Sequence, residues 1–343
     1  MVAAADDRER VARFICGATG LAKDAATWLE HNPMRMDEPT GSAWIAAART
    51  RAERYLATIG ELRGLLEGVQ GAGPFLTIEP GNWQIDFNGD GTVSPFERYL
   101  FWVPKRDAAT GPFHGAATDE AYRRNYVNPT IAIDRSDVYW AIAYLDFAEA
   151  ALNVALAYDW APARYEEATL RDPARIAKVA YARTRAGIRY SMRLRDSLLA
   201  ERHDRDEWIH NPRQVNTTFP MRMDAQTFAT WGEVLREFDA LLAGKALLGG
   251  RVDNGPRGGG FRDLSFGLCA DGEGLDVRDL FMNPVSRLFD TKQLKAWCAK
   301  PTPARPLTRL AAIVQASLAR NANAPDAGAS GEGVLLRHLY WVN

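Results

Sequence analysis

The chain has 343 residues, 47% of them hydrophobic and 25% charged, so one large or two ordinary cores are feasible and global disorder is excluded. Its formal net charge of −1 argues against nucleic acid as the main partner. No uncharged apolar run reaches the length, about 18 residues, that predicts a membrane span.

The N-terminus reads Met1-Val2-Ala3-Ala4-Ala5-Asp6-Asp7. Small residues before an acidic start resemble the surroundings of a signal-peptidase site carrying an added Met, which points to a periplasmic or secreted protein. Helical periodicity then covers 5–30 and 41–68, with Cys16 in the apolar run Phe14-Ile15-Cys16 read as a buried thiol. Leu76-Thr77-Ile78 is one of two good strand signals; Thr130-Ile131-Ala132-Ile133 is the other.

Between them lies Asp-Phe-Asn-Gly-Asp-Gly-Thr-Val-Ser-Pro-Phe-Glu, residues 86–97. Calcium takes six to eight oxygen ligands, and a twelve-residue loop supplies them from positions 1, 3, 5, 7, 9 and 12. Those positions hold Asp86, Asn88, Asp90, Thr92, Ser94 and Glu97. Asp86, Asn88 and Asp90 would give side-chain oxygens, Thr92 its carbonyl, Ser94 a direct or water-mediated contact, and Glu97 both carboxylate oxygens. Gly91 occupies position 6, where the sharp turn favours glycine, and Val93 the apolar position 8. The loop resembles the EF-hand family, in the form seen in single loops of secreted bacterial proteins; the resemblance covers these twelve residues. Ca2+ is the cofactor it implies. Pro80 and Gly81 argue against the usual incoming helix, whereas an outgoing helix is expected from Ser94 to about Trp102, with Pro95 in its first turn. A single loop without a proper helix pair reads as structural rather than sensory.

Further helices are expected at 136–160, 172–203 and 224–247, with shorter ones at 275–282, 288–298 and 305–320. Ser136 and Asp172 are candidate N-caps. Trp140, Tyr144, Phe147, Ala151, Val154 and Tyr158 mark one buried face, and Asp146, Glu149 and Asp159 make that segment a core helix rather than a membrane span. Glycine-rich 249–260 and 321–333 read as loops. The predicted fold class is mainly α.

The chain also echoes itself. His31-Asn32-Pro33 recurs as His210-Asn211-Pro212, and Met34-Arg35-Met36-Asp37 as Met221-Arg222-Met223-Asp224. Thr and Trp follow in matching places, at Thr40 and Trp44 and at Thr227 and Trp231. The offset of about 180 residues is far longer than the 20–50 residues of solenoid repeats, and suggests two duplicated helical halves, 1–165 and 166–343. In the second half Cys269 falls opposite Asp86 and Leu280 opposite Glu97, so this copy is not expected to bind calcium in the EF-hand manner. A disulfide through Cys269, with Cys298 as its partner in an oxidising compartment, would hold it instead.

Other constellations are weaker. Glu207-Trp208-Ile209-His210 has Glu-x-x-His spacing but lacks the second copy that a di-iron bundle needs; His31 and His210 are expected to brace helix ends. Arg35, Asp37, Trp44, Arg222, Asp224 and Trp231 could line a ligand groove for a carbohydrate or peptide, or the Asp residues could simply cap the helices that follow. No Gly-x-Ser-x-Gly, His-Glu-x-x-His or phosphate-loop pattern is present. The expected function is a calcium-binding periplasmic or secreted protein with a non-catalytic ligand-binding or envelope role. The alternative is a calcium-stabilised hydrolase or lyase acting on polysaccharide.

Overall fold

The computed structural model describes residues 2–33, 40–105, 119–161, 167–219, 223–252, 263–265 and 267–322. Ten α-helices lie among them, with eight short strands that join in pairs, so the fold is mainly α. The chain divides into two compact units, each assembled from three stretches: Met1–Arg35, Thr50–Leu145 and Tyr190–Phe228 in one, Met36–Arg49, Asp146–Arg189 and Ala229–Asn343 in the other.

In the first unit, α1 (Val2–His31) meets the later turns of α2 (Thr40–Glu67). Gly17 permits their close approach, since a Cβ there would lie 2.6 Å from Leu62 Cδ2. Val11, Leu66, Val69, Val138, Ala141 and Ile142 form the buried core, with Phe14 and Ile15 packed against it. These α1 positions follow 3-and-4 spacing, which turns Cys16 off the core face. The thiol is exposed, contrary to the buried reading. Asp7 is buried and accepts from the Gln70 and Gly71 N–H groups, fixing the chain as it leaves α2.

The two segments expected as strands are β1 (Leu76–Ile78) and β4 (Ile131–Ile133), and they pair with each other, antiparallel, Leu76 opposite Ile133. Ala132 N–H donates to the Asp206 carbonyl (2.9 Å), which brings the segment after residue 200 to β4. The helix after residues 86–97, α3 (Pro95–Arg98), is shorter than expected. The chain must turn at once to enter β2 (Val103–Pro104), which pairs with β3 (Tyr126–Val127) after α4 (Asp119–Asn125). Trp102 closes that turn by donating its indole N–H to the Gly81 carbonyl (3.2 Å).

The long apolar helix is α5 (Arg135–Ala157). Its N-cap is Asp134, not Ser136: Asp134 Oδ1 accepts from Ser136 N–H at 2.7 Å and from Asp137 N–H at 3.4 Å. Among the described residues, α5 is the one helix long and apolar enough to cross a membrane by length and composition. Its buried positions include Val138, Ala141, Ile142, Ala150 and Leu156, the pattern of a core helix.

In the second unit, wholly buried Asp146 pairs with Arg183 (3.4 Å), which also reaches Glu149 (3.0 Å). Arg183 lies on α6 (Tyr181–Ala200), preceded by a π-helical turn, Arg175–Ala180. Asp172 caps this helical stretch as expected, accepting from Ala174 N–H. Ala157, Tyr158, Ala168 and Ile176 form one core beside the pair β5 (Tyr158–Asp159) and β6 (Thr169–Leu170). Another joins Leu241 of α7 (Ala225–Leu242), Ala246, and Leu310 of α10 (Leu310–Ala322). A third gathers Leu275, Val285 and Trp297 beside the pair β7 (Gly274–Leu275) and β8 (Cys298–Ala299). Helices α8 (Val277–Met282) and α9 (Thr291–Leu294) lie between those strands. The Cys269–Cys298 disulfide ties this segment together, where the second copy of the loop was expected to need a staple.

Candidate metal centre

Residues 86–97 wind around their own acidic side chains. Asp86 accepts from Gly89 N–H with Oδ1 (2.6 Å) and from Gly91 N–H with Oδ2 (3.1 Å). Asn88 Oδ1 accepts from Asp90 N–H (3.0 Å). Asp90 Oδ1 accepts from both the N–H and the hydroxyl of Thr92 (2.8 and 2.7 Å). Such bonds, spanning two to five residues, fold the chain back on itself, with left-handed backbone at Gly89 (φ +75°) and Gly91 (φ +87°).

Glu97 closes the loop from the other end. It is buried, and its Oε1 accepts from Phe87 and Asn88 N–H (2.7 and 3.1 Å). Its Oε2 accepts from Ser94 N–H and the Ser94 hydroxyl (2.9 and 2.7 Å), while Ser94 Oγ accepts from Glu97 N–H (3.3 Å). This is a capping box, and it opens α3 with Pro95 in the first turn.

Burial alone would raise the Glu97 pKa. The four donors from Ser94, Asn88 and Phe87 outweigh it and hold the carboxyl below its usual range. Asp90 is also held low, chiefly by the Thr92 hydroxyl and N–H and the Asn88 amide. The segment carries three carboxylates and no basic residue, so its donors are hard, anionic oxygens of the type calcium takes. Asp86, Asn88, Asp90, Thr92, Ser94 and Glu97 thus lie in one self-bonded loop, in which Val93 is half-buried.

A second acidic group was not legible in the sequence. Asp134, Glu201 and Glu207 each bring a carboxylate oxygen within 4.8 Å of the others, close enough to share protons or to face one cation. Asp134 comes from the start of α5, the two glutamates from the segment after α6. Glu201 accepts from the Ser136 hydroxyl and from the Gln214 amide (3.3 Å). Glu207 bonds His203 Nδ1 (2.7 Å), not the His210 three residues later, and His203 Nε2 lies 3.7 Å from Asp134 Oδ2. Asp137 Oδ2 accepts from Asp134 N–H (3.1 Å).

Burial and the adjacent Glu201 push Asp134 up to about 7. Burial and Asp134 push Asp137 well above the carboxylate range, and burial and Glu201 raise Glu207 despite its bond to His203. The only local hint in the sequence is the pair of acids at the end of an apolar strand. Nothing there says that residue 201 returns to it.

Of the six residues suggested for a ligand groove, Trp44, Asp224 and Trp231 are described. Arg35, Asp37 and Arg222 lie outside the described residues. Asp224 is exposed and caps α7, accepting from Thr227 N–H (2.7 Å), which is the capping alternative. Trp44 is half-buried on α2, and Trp231 is buried on α7. His31 does brace a helix end: its Nδ1 lies 2.8 Å from the Thr27 carbonyl in the last turn of α1. The chain matches no protein-family model, no curated protein and no solved structure.

Proposed function

We propose that the protein binds one structural Ca2+ at residues 86–97 and works outside the cytoplasm, in a non-catalytic ligand-binding or envelope role. Asp86, Asn88, Asp90, Thr92, Ser94 and Glu97 would hold the ion. The observation that carries the reading is Glu97: a buried, ionised carboxylate at the twelfth position, held against the start of its own loop. The three other acidic or amide side chains already curl inward on left-handed glycines. The disulfide supports an oxidising compartment, since such bonds persist chiefly in secreted and periplasmic proteins. Extracellular calcium modules bind at roughly 10⁻⁴–10⁻³ M, which suits a single loop in a calcium-rich medium.

Calcium that binds only the folded state adds RT ln(1 + [L]/Kd), about 2.7 kcal/mol at a hundredfold excess. Protein stripped with chelator should take up one calcium per chain by elemental analysis and melt at a higher temperature once calcium is restored. An unchanged melt with no calcium retained rejects the proposal.

A further inference from the structure

A loop of this kind is ordinarily steadied by a helix on each side, and here the incoming one is absent. The chain arrives through a short 3₁₀ turn, Pro80–Asn82, and α3 on the far side has four residues. Two other features hold the loop. Trp83 and Phe87 both pack on Phe101, at ring-centroid distances of 5.3 and 6.2 Å, and pinch the two ends of the loop together. The last turns of α1 cover its first half. Thr27 donates its hydroxyl to the Phe87 carbonyl at 2.6 Å, across 60 residues of chain. A Cβ on Gly89 would sit 3.1 Å from Thr27 Cγ2 and 3.6 Å from His31 Cε1, so the backbone lies directly against the helix.

We propose that the C-terminal end of α1 replaces the missing incoming helix, with Thr27 as the positioning residue, so that calcium binding and the docking of α1 stabilise one another. The proposal rests on the calcium reading above. Phe87 stands between Asp86 and Asn88, the first two side chains of the donor set. Its carbonyl is therefore the point at which an outside bond fixes the relative placement of both. Fixing it beforehand removes part of the ordering cost that calcium would otherwise meet. Linkage then makes the effect reciprocal: a helix end that favours calcium is itself favoured by calcium.

The test compares chelator-stripped wild type with Thr27→Val, which keeps the shape and loses the hydroxyl, and Thr27→Ser, which keeps the hydroxyl. Calcium affinity is read by calorimetric titration and amide exchange along α1 by mass spectrometry. One neutral hydrogen bond corresponds to roughly a twofold to tenfold weakening in Thr27→Val, with Thr27→Ser close to wild type. In wild type, calcium should slow exchange in the last two turns of α1; in Thr27→Val that slowing should shrink. The wild-type exchange comparison needs no variant to fold. If wild type takes up calcium while exchange in α1 stays unchanged and Thr27→Val binds equally well, the coupling is refuted and the calcium reading stands. If wild type takes up no calcium at all, both fall.

Discussion

Replacing Asp134 by Asn should flatten the pH dependence of stability. In the folded protein Asp134 is raised from 3.8 to about 7, so over that interval the native state holds a proton that the unfolded chain has released. Stability must then fall as pH rises: the contribution is complete below the unfolded value and is lost as pH climbs through about 7. At 1.36 kcal/mol per unit, the shift amounts to about 4 kcal/mol across the window. The carboxyl is nearly wholly buried, so solvent screening takes little from that figure. An Asn at this position keeps an oxygen to cap α5 through Ser136 N–H and carries no charge toward Glu201 and Glu207. Wild-type Asp134 is itself protonated below about 7, so both proteins carry a neutral cap there.

The gap between the variant and wild type should therefore widen in the variant's favour by roughly 2–3 kcal/mol between about pH 5 and about pH 8. Urea unfolding followed by circular dichroism across that range measures this. Chelator in every buffer keeps divalent cations from taking the place of protons. Asp137 and Glu207 still titrate in the variant, so a residual slope is expected. Parallel curves for the two proteins, equal in slope, would show that Asp134 is not the group that holds the proton.

Three other outcomes are expected. Glu97→Gln should abolish the calcium-dependent rise in melting temperature and also weaken the stripped protein by about 1 kcal/mol, because the capping box loses its charged partner; a variant that keeps the full calcium response would sink the ligand assignment. Thiol titration should find one reactive group, Cys16, in both native and denatured unreduced protein and three after reduction, and reduction should cost about 2–4 kcal/mol; three free thiols without reductant would contradict the Cys269–Cys298 bond. Gly187→Ala should cost about 1–3 kcal/mol by thermal melt, since its Cβ would meet Phe147 Cε1 at 2.4 Å; an unperturbed melt would mean that the two helices can part there freely.

The sequence made the long helices legible because each buries one face at 3-and-4 spacing: Val11, Phe14 and Ile15 sit on α1 where periodicity puts them. It also marked both strands of the β1–β4 pair, whose β-branched residues stand out among helix formers. Short-range chemistry was less certain. Asp134 and Ser136 are both good caps two residues apart, and the structure uses the one that directly follows the strand. Glu207 was linked to His210 by motif spacing, yet it bonds His203, because the segment after α6 is irregular and a helical offset has no meaning there. The buried carboxylates were invisible for a different reason. Their meeting depends on the Ala132–Asp206 bond, a tertiary contact between segments far apart in the chain.

Glu97 and Asp134 are both buried carboxylates in the first unit, and their environments drive them in opposite directions. Glu97 faces four donors and stays ionised; Asp134 faces Glu201 and Glu207 and holds its proton toward neutrality. The first stabilises the unit above its unfolded value of 4.5 and loses that contribution as pH falls through its lower folded value. The second stabilises it at low pH and loses that contribution as pH rises toward 7. In calcium-free buffer the Glu97 contribution is complete only above 4.5 while the Asp134 contribution already declines above 3.8, so exchange protection of the first unit should be greatest near about pH 4 and fall from there to about 7. Calcium acts on Glu97 alone in this pair, and it should lift protection most where Glu97 is ionised, leaving the decline toward alkaline pH in place. A peak above neutrality, or a calcium effect that removes that decline, would mean that the two acidic centres are not independent.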